Sequence, residues 1–236
     1  MSIFKFKQFE ICQDKTGMKV GTDGVLLGAW ADCFAAKNIL DVGSGTGLIS
    51  IMLAQRNAVA SIQAIEIEYD AYLQSVENAN ASRWKERIEV KHCSFQDFYK
   101  QCTSTFDLIV SNPPFFENSQ KSDVEKRNLA RHTHTLSFDE LIYFSAKLLS
   151  NNGLLSVIIP CDSQLNFIHL ASSIGLFLTR KTLIKPNLLK KPKRVLLEFS
   201  KQKEQFIENE LTIELSRHVY TPEYIELTRD FYLKME

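Results

Sequence analysis

Asn38-Ile-Leu-Asp-Val-Gly-Ser-Gly-Thr-Gly47 runs an apolar strand into a glycine-rich turn, and the helical pattern of Leu48–Arg56 follows at once. This strand–turn–helix order decides the fold, because it opens a βαβ unit. Glycines at 43, 45 and 47 let the backbone turn sharply and come close to a ligand. Their spacing is GxGxG, which differs from the GxGxxG dinucleotide fingerprint, and Asp41 stands just before them. The same turn also fits plain turn chemistry with no ligand. A second apolar run, residues 61–68 (SIQAIEIE), ends about twenty residues on with Glu66, where a carboxylate can accept both ribose hydroxyls of a nucleoside. Glu68, two positions along on the same face, competes for that role.

Outward from this unit the alternation continues. Residues 87–94 and 106–112 read as the third and fourth strands, with a helix over 70–82 before them. Ser137-Phe-Asp-Glu140 has the spacing of a capping box, so a helix starts there and runs to about residue 150. Asn151-Asn-Gly153 breaks it, and 154–160 is the fifth strand. A helix over 163–174 precedes a closing pair of strands, 177–186 and Arg194–Ser200. Thr221-Pro222 starts a last helix toward Tyr232. At the other end, residues 1–9 read as a strand whose Phe4, Phe6 and Phe9 suit core packing, and Val25 to Trp30 as an apolar helix over the site. Ahead of that helix, Thr22 and Asp23 either cap it or touch a ligand. Strands alternating with helices give a doubly wound α/β fold with a mostly parallel sheet. Ligands of such sheets bind beyond the carboxyl ends of the strands.

Bulk properties exclude several classes. The chain has 236 residues, 28 basic and 28 acidic, and 44% hydrophobic residues, which suits one soluble domain. No window approaches the ~18 apolar residues of a membrane span. The start lacks the apolar core of a signal peptide, so a cytoplasmic protein is expected. Five cysteines, odd in number and never spaced CxxC, argue against a disulfide framework or a zinc site, and no metal is expected. Zero net charge argues against an indiscriminate nucleic-acid binder while allowing local basic patches.

Asn112-Pro-Pro-Phe115, at the end of the fourth strand, reads either as a rigid strand exit with a buried aromatic or, beside the glycine loop, as the stretch that carries the chemistry. Two prolines fix φ and remove two backbone donors, leaving carbonyl acceptors beside the Asn112 side chain. An exocyclic amine on a nucleobase is a poor nucleophile, because its lone pair is delocalised into the ring. Two acceptors holding both its hydrogens favour a pyramidal nitrogen whose lone pair can attack. The aromatic ring adds a stacking surface worth about 1–3 kcal/mol. Alignment at near-attack distance then supplies most of the catalysis, with no metal or strong base.

The glycine loop resembles motif I of class I S-adenosylmethionine methyltransferases. That resemblance implies a Rossmann-like, seven-stranded sheet with the last strand antiparallel. It places Gly43, Gly45 and Gly47 along the methionine part of the cofactor with Asp41 nearby, and Glu66 on the ribose. Many relatives carry an acid after the third strand that meets the adenine; His92-Cys-Ser-Phe-Gln-Asp97 stands there in this chain, so Ser94 and Phe95 are the implied contacts. The loop at 112–115 is similar to the NPPF/Y motif of enzymes that methylate planar amines. Asn112 and Pro113 would hold the amine and Phe115 would stack, with Asn112 also at the cofactor and Pro114 and Phe116 at the substrate. That motif serves adenine, guanine and glutamine acceptors, and Phe115 favours RNA enzymes.

Longer blocks resemble the bacterial tRNA1(Val) adenine-37 N6-methyltransferases: KVGTDGVLLGAW at 19–30, NPPFF at 112–116, RNLARH at 127–132, PKR with VLLEF at 192–199, and YTPEYIELTRDFYL at 220–233. The likeness spans nearly the whole chain. It implies a single methyltransferase domain, with residues 1–36 as a cap segment and 37–236 as the core. The implied substrate is transfer RNA, with no membrane and no obligate protein partner. Arg131, Lys190, Lys191, Lys193 and Arg194 are candidate RNA contacts, whose contribution would fall steeply with salt. A protein-glutamine methyltransferase, a non-catalytic RNA-binding protein and an NAD-binding protein are the alternatives.

Overall fold

The computed structural model describes residues 2–114 and 136–235. The chain begins with a hairpin, β1 (Ile3–Lys5) and β2 (Glu10–Cys12), followed by α1 (Thr22–Trp30). The sheet then builds from β3 (Asn38–Val42), α2 (Leu48–Arg56), β4 (Ser61–Glu66), α3 (Tyr69–Ala81), β5 (Ile88–His92), α4 (Phe95–Gln101) and β6 (Phe106–Ser111). After the undescribed stretch come α5 (Phe138–Leu148), β7 (Leu149–Pro160), α6 (Gln164–Ser173), β8 (Phe177–Asn187) and β9 (Arg194–Ser200). β10 (Ile207–Ser216), β11 (Val219–Tyr220) and α7 (Pro222–Thr228) close the chain.

Seven strands stand in the order β8-β9-β7-β6-β3-β4-β5. β3 through β7 run parallel, and β9 is antiparallel to both β7 and β8. This is the expected seven-stranded, mostly parallel sheet with its last strand reversed. β10 extends it past β8 in parallel, and β11 pairs antiparallel with β10, so the sheet has nine strands among the described residues. The central strands read as unbroken apolar runs because helices cover both their faces. On one face the core joins Leu26, Ile51, Met52 and Phe231 with buried Phe6 and Phe9. On the other it joins Phe98, Leu141, Phe167 and Phe199. Gly28 makes the first layer thin: a Cβ there would meet Met52 Sδ at 2.8 Å, so α1 can lie directly on α2.

The Ser137 capping box forms as expected, the Ser137 hydroxyl accepting from the Glu140 N–H and Glu140 accepting from the Ser137 N–H. Thr221 caps α7 through the Tyr224 N–H, but that helix stops at Thr228. Asn151-Asn-Gly153 is no break. α5 ends at Leu148, and β7 takes all three residues in. Gly153 is needed because an added Cβ would lie 2.7 Å from the Phe106 carbonyl, next to a register shift between β6 and β7. Glycine inside a strand marks such close approach. Among the described residues, no helix is long and apolar enough to cross a membrane.

Candidate active site

Val42 pairs with Ser111, so Gly43 and Asn112 leave neighbouring parallel strands at one level. The Ser111 hydroxyl donates to the Val42 carbonyl at 2.8 Å and pins the two ends together. β4 stands on the other side of β3. The Gly43 and Ser44 N–H groups both donate to the Ile65 carbonyl, which fixes the glycine turn to the end of β4. Thus the two motifs that sequence separates by about seventy positions share one edge of the sheet.

All three turn glycines take the left-handed region, at φ 75, 55 and 78 for Gly43, Gly45 and Gly47. A side chain there costs roughly 1–2 kcal/mol. At Gly43 and Gly45 an added Cβ would meet nothing within 4 Å, so conformation dictates glycine and open space lies beside the turn. Gly47 is constrained twice, since its Cβ would fall 2.7 Å from Ser75 Oγ.

Glu66 is buried and organises this turn. Its Oε2 accepts from the Gly45 N–H at 2.8 Å, and its Oε1 accepts from the Ile67 and Glu68 N–H groups at 2.8 and 2.9 Å. Three of the roughly four acceptor positions of a carboxylate are filled, which leaves one toward a further donor. Glu68 is exposed and leads into α3. Asp41 is fully enclosed. Its Oδ2 accepts from the Ser50 N–H and hydroxyl at 3.1 and 2.7 Å, while Oδ1 has no partner among the described residues. Burial pushes its carboxyl up to about 6, against the opposing pull of the Ser50 hydrogen bonds. Asn112 Oδ1 is likewise buried with no hydrogen-bond partner among the described residues. Two unmatched acceptors beside an open, glycine-lined turn are the features of a site that receives donors.

Ser94 caps α4, accepting from the Asp97 N–H at 3.0 Å and donating to Asp97 Oδ2 at 2.8 Å. Phe95 is buried and packs edge-on against Phe144, with centroids 5.5 Å apart. Pro113 is buried and Pro114 exposed. Phe115, Phe116 and Arg131 lie outside the described residues. Lys190, Lys191 and Lys193 are exposed on the loop from β8 to β9. Arg194 Nε donates to Asp23 Oδ2 at 2.8 Å. Asp23 therefore ties that loop to the first turn of α1, and Gly21, with no side-chain cap, precedes the helix.

Sequence reading passed over the polar stripe of α3. Asn78 accepts from the Cys12 N–H and donates to the Cys12 and Thr46 carbonyls, joining β2 to the glycine turn. Gln74 accepts from the Asp14 and Lys15 N–H groups. The signal was present, as Gln74, Ser75 and Asn78 interrupt a face otherwise made of Ala71 and Ala79.

The methyltransferase small domain family model matches residues 21–164. A tRNA1(Val) (adenine(37)-N6)-methyltransferase of Phocaeicola vulgatus is 51% identical, with 98% of each chain covered. One of the same name from Trichodesmium erythraeum is 49% identical at the same coverage. A predicted O-methyltransferase of Agrobacterium tumefaciens superposes at a TM-score of 0.69, 21% identical, covering 89% of this chain and 96% of that one. A ribosomal protein L11 methylase of Lactobacillus delbrueckii superposes at 0.53, 16% identical, covering 76% and 77%.

Proposed function

The chain belongs to the tRNA1(Val) (adenine(37)-N6)-methyltransferase family, and from that premise we propose that it methylates N6 of adenine 37 in tRNA1(Val), using S-adenosylmethionine. The observation that carries this reading is the buried Asn112 Oδ1, without a partner among the described residues, at the level of the glycine turn.

S-adenosylmethionine supplies an electrophilic methyl group on a sulfonium, which is already a good leaving group. The residues of this chain fit it. The open side of Gly43 and Gly45 accommodates a ligand against the backbone, and the free acceptor position of Glu66 suits a ribose hydroxyl. Ser94 and Phe95 follow β5, whose His92 pairs with Glu66, and by that position are assigned to the adenine side. Asp41 gives the enclosed end a negative charge matched to an ammonium group.

On the substrate side, Asn112 Oδ1 and the Pro113 carbonyl accept the two amine hydrogens, so the nitrogen lone pair turns toward the methyl group. Phe115 stacks on the base, with Pro114 and Phe116 at its rim. Proton loss follows transfer, and no side chain need act as a strong base.

Labelled S-adenosylmethionine, incubated with unmodified total tRNA and in parallel with ribosomal RNA and a release factor, tests the reading. N6-methyladenosine recovered from tRNA alone is the expected product. Label in the release factor with none in tRNA would move the acceptor to a glutamine amide.

A further inference from the structure

β10 and β11 lie outside the seven strands that carry the site. Within the ladder the cations of β8 are matched: Lys181 to Glu208 at 2.9 Å, Lys185 to Glu210 at 3.3 Å, and Arg180 to Glu198 of β9 at 2.7 Å. Past the strand ends the pattern changes. Asn187 and Glu214 form the last pair between β8 and β10, so residues 188–193 and 215–219 leave adjacent strands at the same edge. Arg194 pairs with Pro160 at the end of β7, which makes this the edge from which Gly43 and Asn112 emerge.

The two segments read Leu188-Leu-Lys-Lys-Pro-Lys193 and Leu215-Ser-Arg-His-Val219, with no acid in either. Lys190, Lys191, Lys193 and Arg217 are exposed, and none has a carboxylate partner among the described residues. Arg194 differs, being held by Asp23. Apolar side chains stand exposed just ahead of the lysines: Leu189 is 97% exposed and Leu188 57%. The turn at Arg217-His218 is a defined one, with His218 at φ 65 and its N–H donating to Glu214 Oε1 at 3.3 Å. Glu214 and Asp23 reach the rim, but each is engaged there, Glu214 by the His218 N–H and Asp23 by Arg194, so in a chain of zero net charge the four remaining cations are a local arrangement suited to a polyanion.

We propose that the β8–β9 loop and the β10–β11 turn form one docking rim for the RNA backbone flanking the modified base, with Arg217 as its outer contact. The proposal rests on the tRNA reading above. β10 lies four strand steps from β6, roughly 19 Å at about 4.8 Å per strand. A base held at Asn112 therefore leaves the rim to meet phosphates several nucleotides away. The two added strands thereby widen the surface that receives the RNA.

Arg217→Ala, the Lys190→Ala/Lys191→Ala double variant and the triple combination would be compared with wild type. The readouts are anisotropy with unmodified tRNA between about 50 and 200 mM salt, calorimetry with S-adenosylmethionine, and methyl transfer. Each lost charge is expected to reduce the slope of log affinity against log salt by about 0.7–0.9. Affinity for S-adenosylmethionine should stay at the wild-type value, which also reports an intact fold, and Arg217→Lys should restore the slope. Wild-type tRNA affinity and slope in the triple variant would overturn the rim while leaving the methylation reading standing. Wild-type protein that binds tRNA with this slope yet transfers no methyl group would overturn the methylation reading and leave the rim.

Discussion

Asp41 sets a conflict between folding and binding that a single substitution exposes. Its carboxyl is raised to about 6 by burial, so its contribution to stability is full below the ordinary carboxylate range and is lost as pH rises through 6. Asp41→Asn should therefore raise the melting temperature of the free protein at pH 8, by about 2–4 °C per kcal/mol regained, and change it little at pH 4. S-adenosylmethionine affinity should move the other way, falling tenfold or more, on the order of a lost charged hydrogen bond. In wild type that affinity should weaken as pH drops below 6. Calorimetry across pH 5–8 checks both; an affinity flat with pH would remove Asp41 from the ligand. Asn112→Ala separates the two halves of the site: turnover should fall by on the order of 100-fold or more, with S-adenosylmethionine affinity kept. Near-normal turnover would refute the role of Asn112.

At the scale of elements, α3 joins the amino-terminal segment to the glycine turn. Asn78→Ala removes the hydrogen bonds to Cys12 and Thr46 and leaves buried backbone groups unpaired, a loss of about 1–3 kcal/mol. Lower denaturation midpoints together with weaker S-adenosylmethionine binding are expected; loss of stability alone would make Asn78 a purely structural tie. Sequence reading reached the elements where one physical signal dominated. β3 and α2 stood out because apolar runs met glycine, β9 because Val195-Leu-Leu-Glu-Phe199 is an apolar run between basic segments, and the capping box located α5. It failed where signals competed. Gly153 looked like a breaker because its close approach to Phe106 is a tertiary fact. α4 is only seven residues long and has a single capping serine. β10 does alternate, with Ile207, Leu211, Ile213 and Leu215 against Glu208, Glu210 and Glu214, yet no element was assigned to it from the sequence. Glu208 and Glu210 are partners for the lysines of β8.

For the whole molecule, the parallel order of β3, β4 and β6 brings distant motifs to one edge, and α/β topology alone foretold that. Gly43, Gly45, Gly47, Glu66 and Asn112 converge, because each stands at or just past the end of a strand that sequence already marked. Ser94 and Phe95 were legible by position only; their side chains proved to be a helix cap and a core aromatic. The ties through Asn78 and Asp23 join segments far apart in sequence, so local pattern could not show them. The central claim is that this edge presents adenine 37 to the methyl group. It is tested most directly by methyl transfer to an unmodified transcript of tRNA1(Val), beside the same transcript with guanine at position 37. N6-methyladenosine at position 37 of the first and no incorporation into the second is the predicted result. Equal incorporation into both transcripts would contradict it.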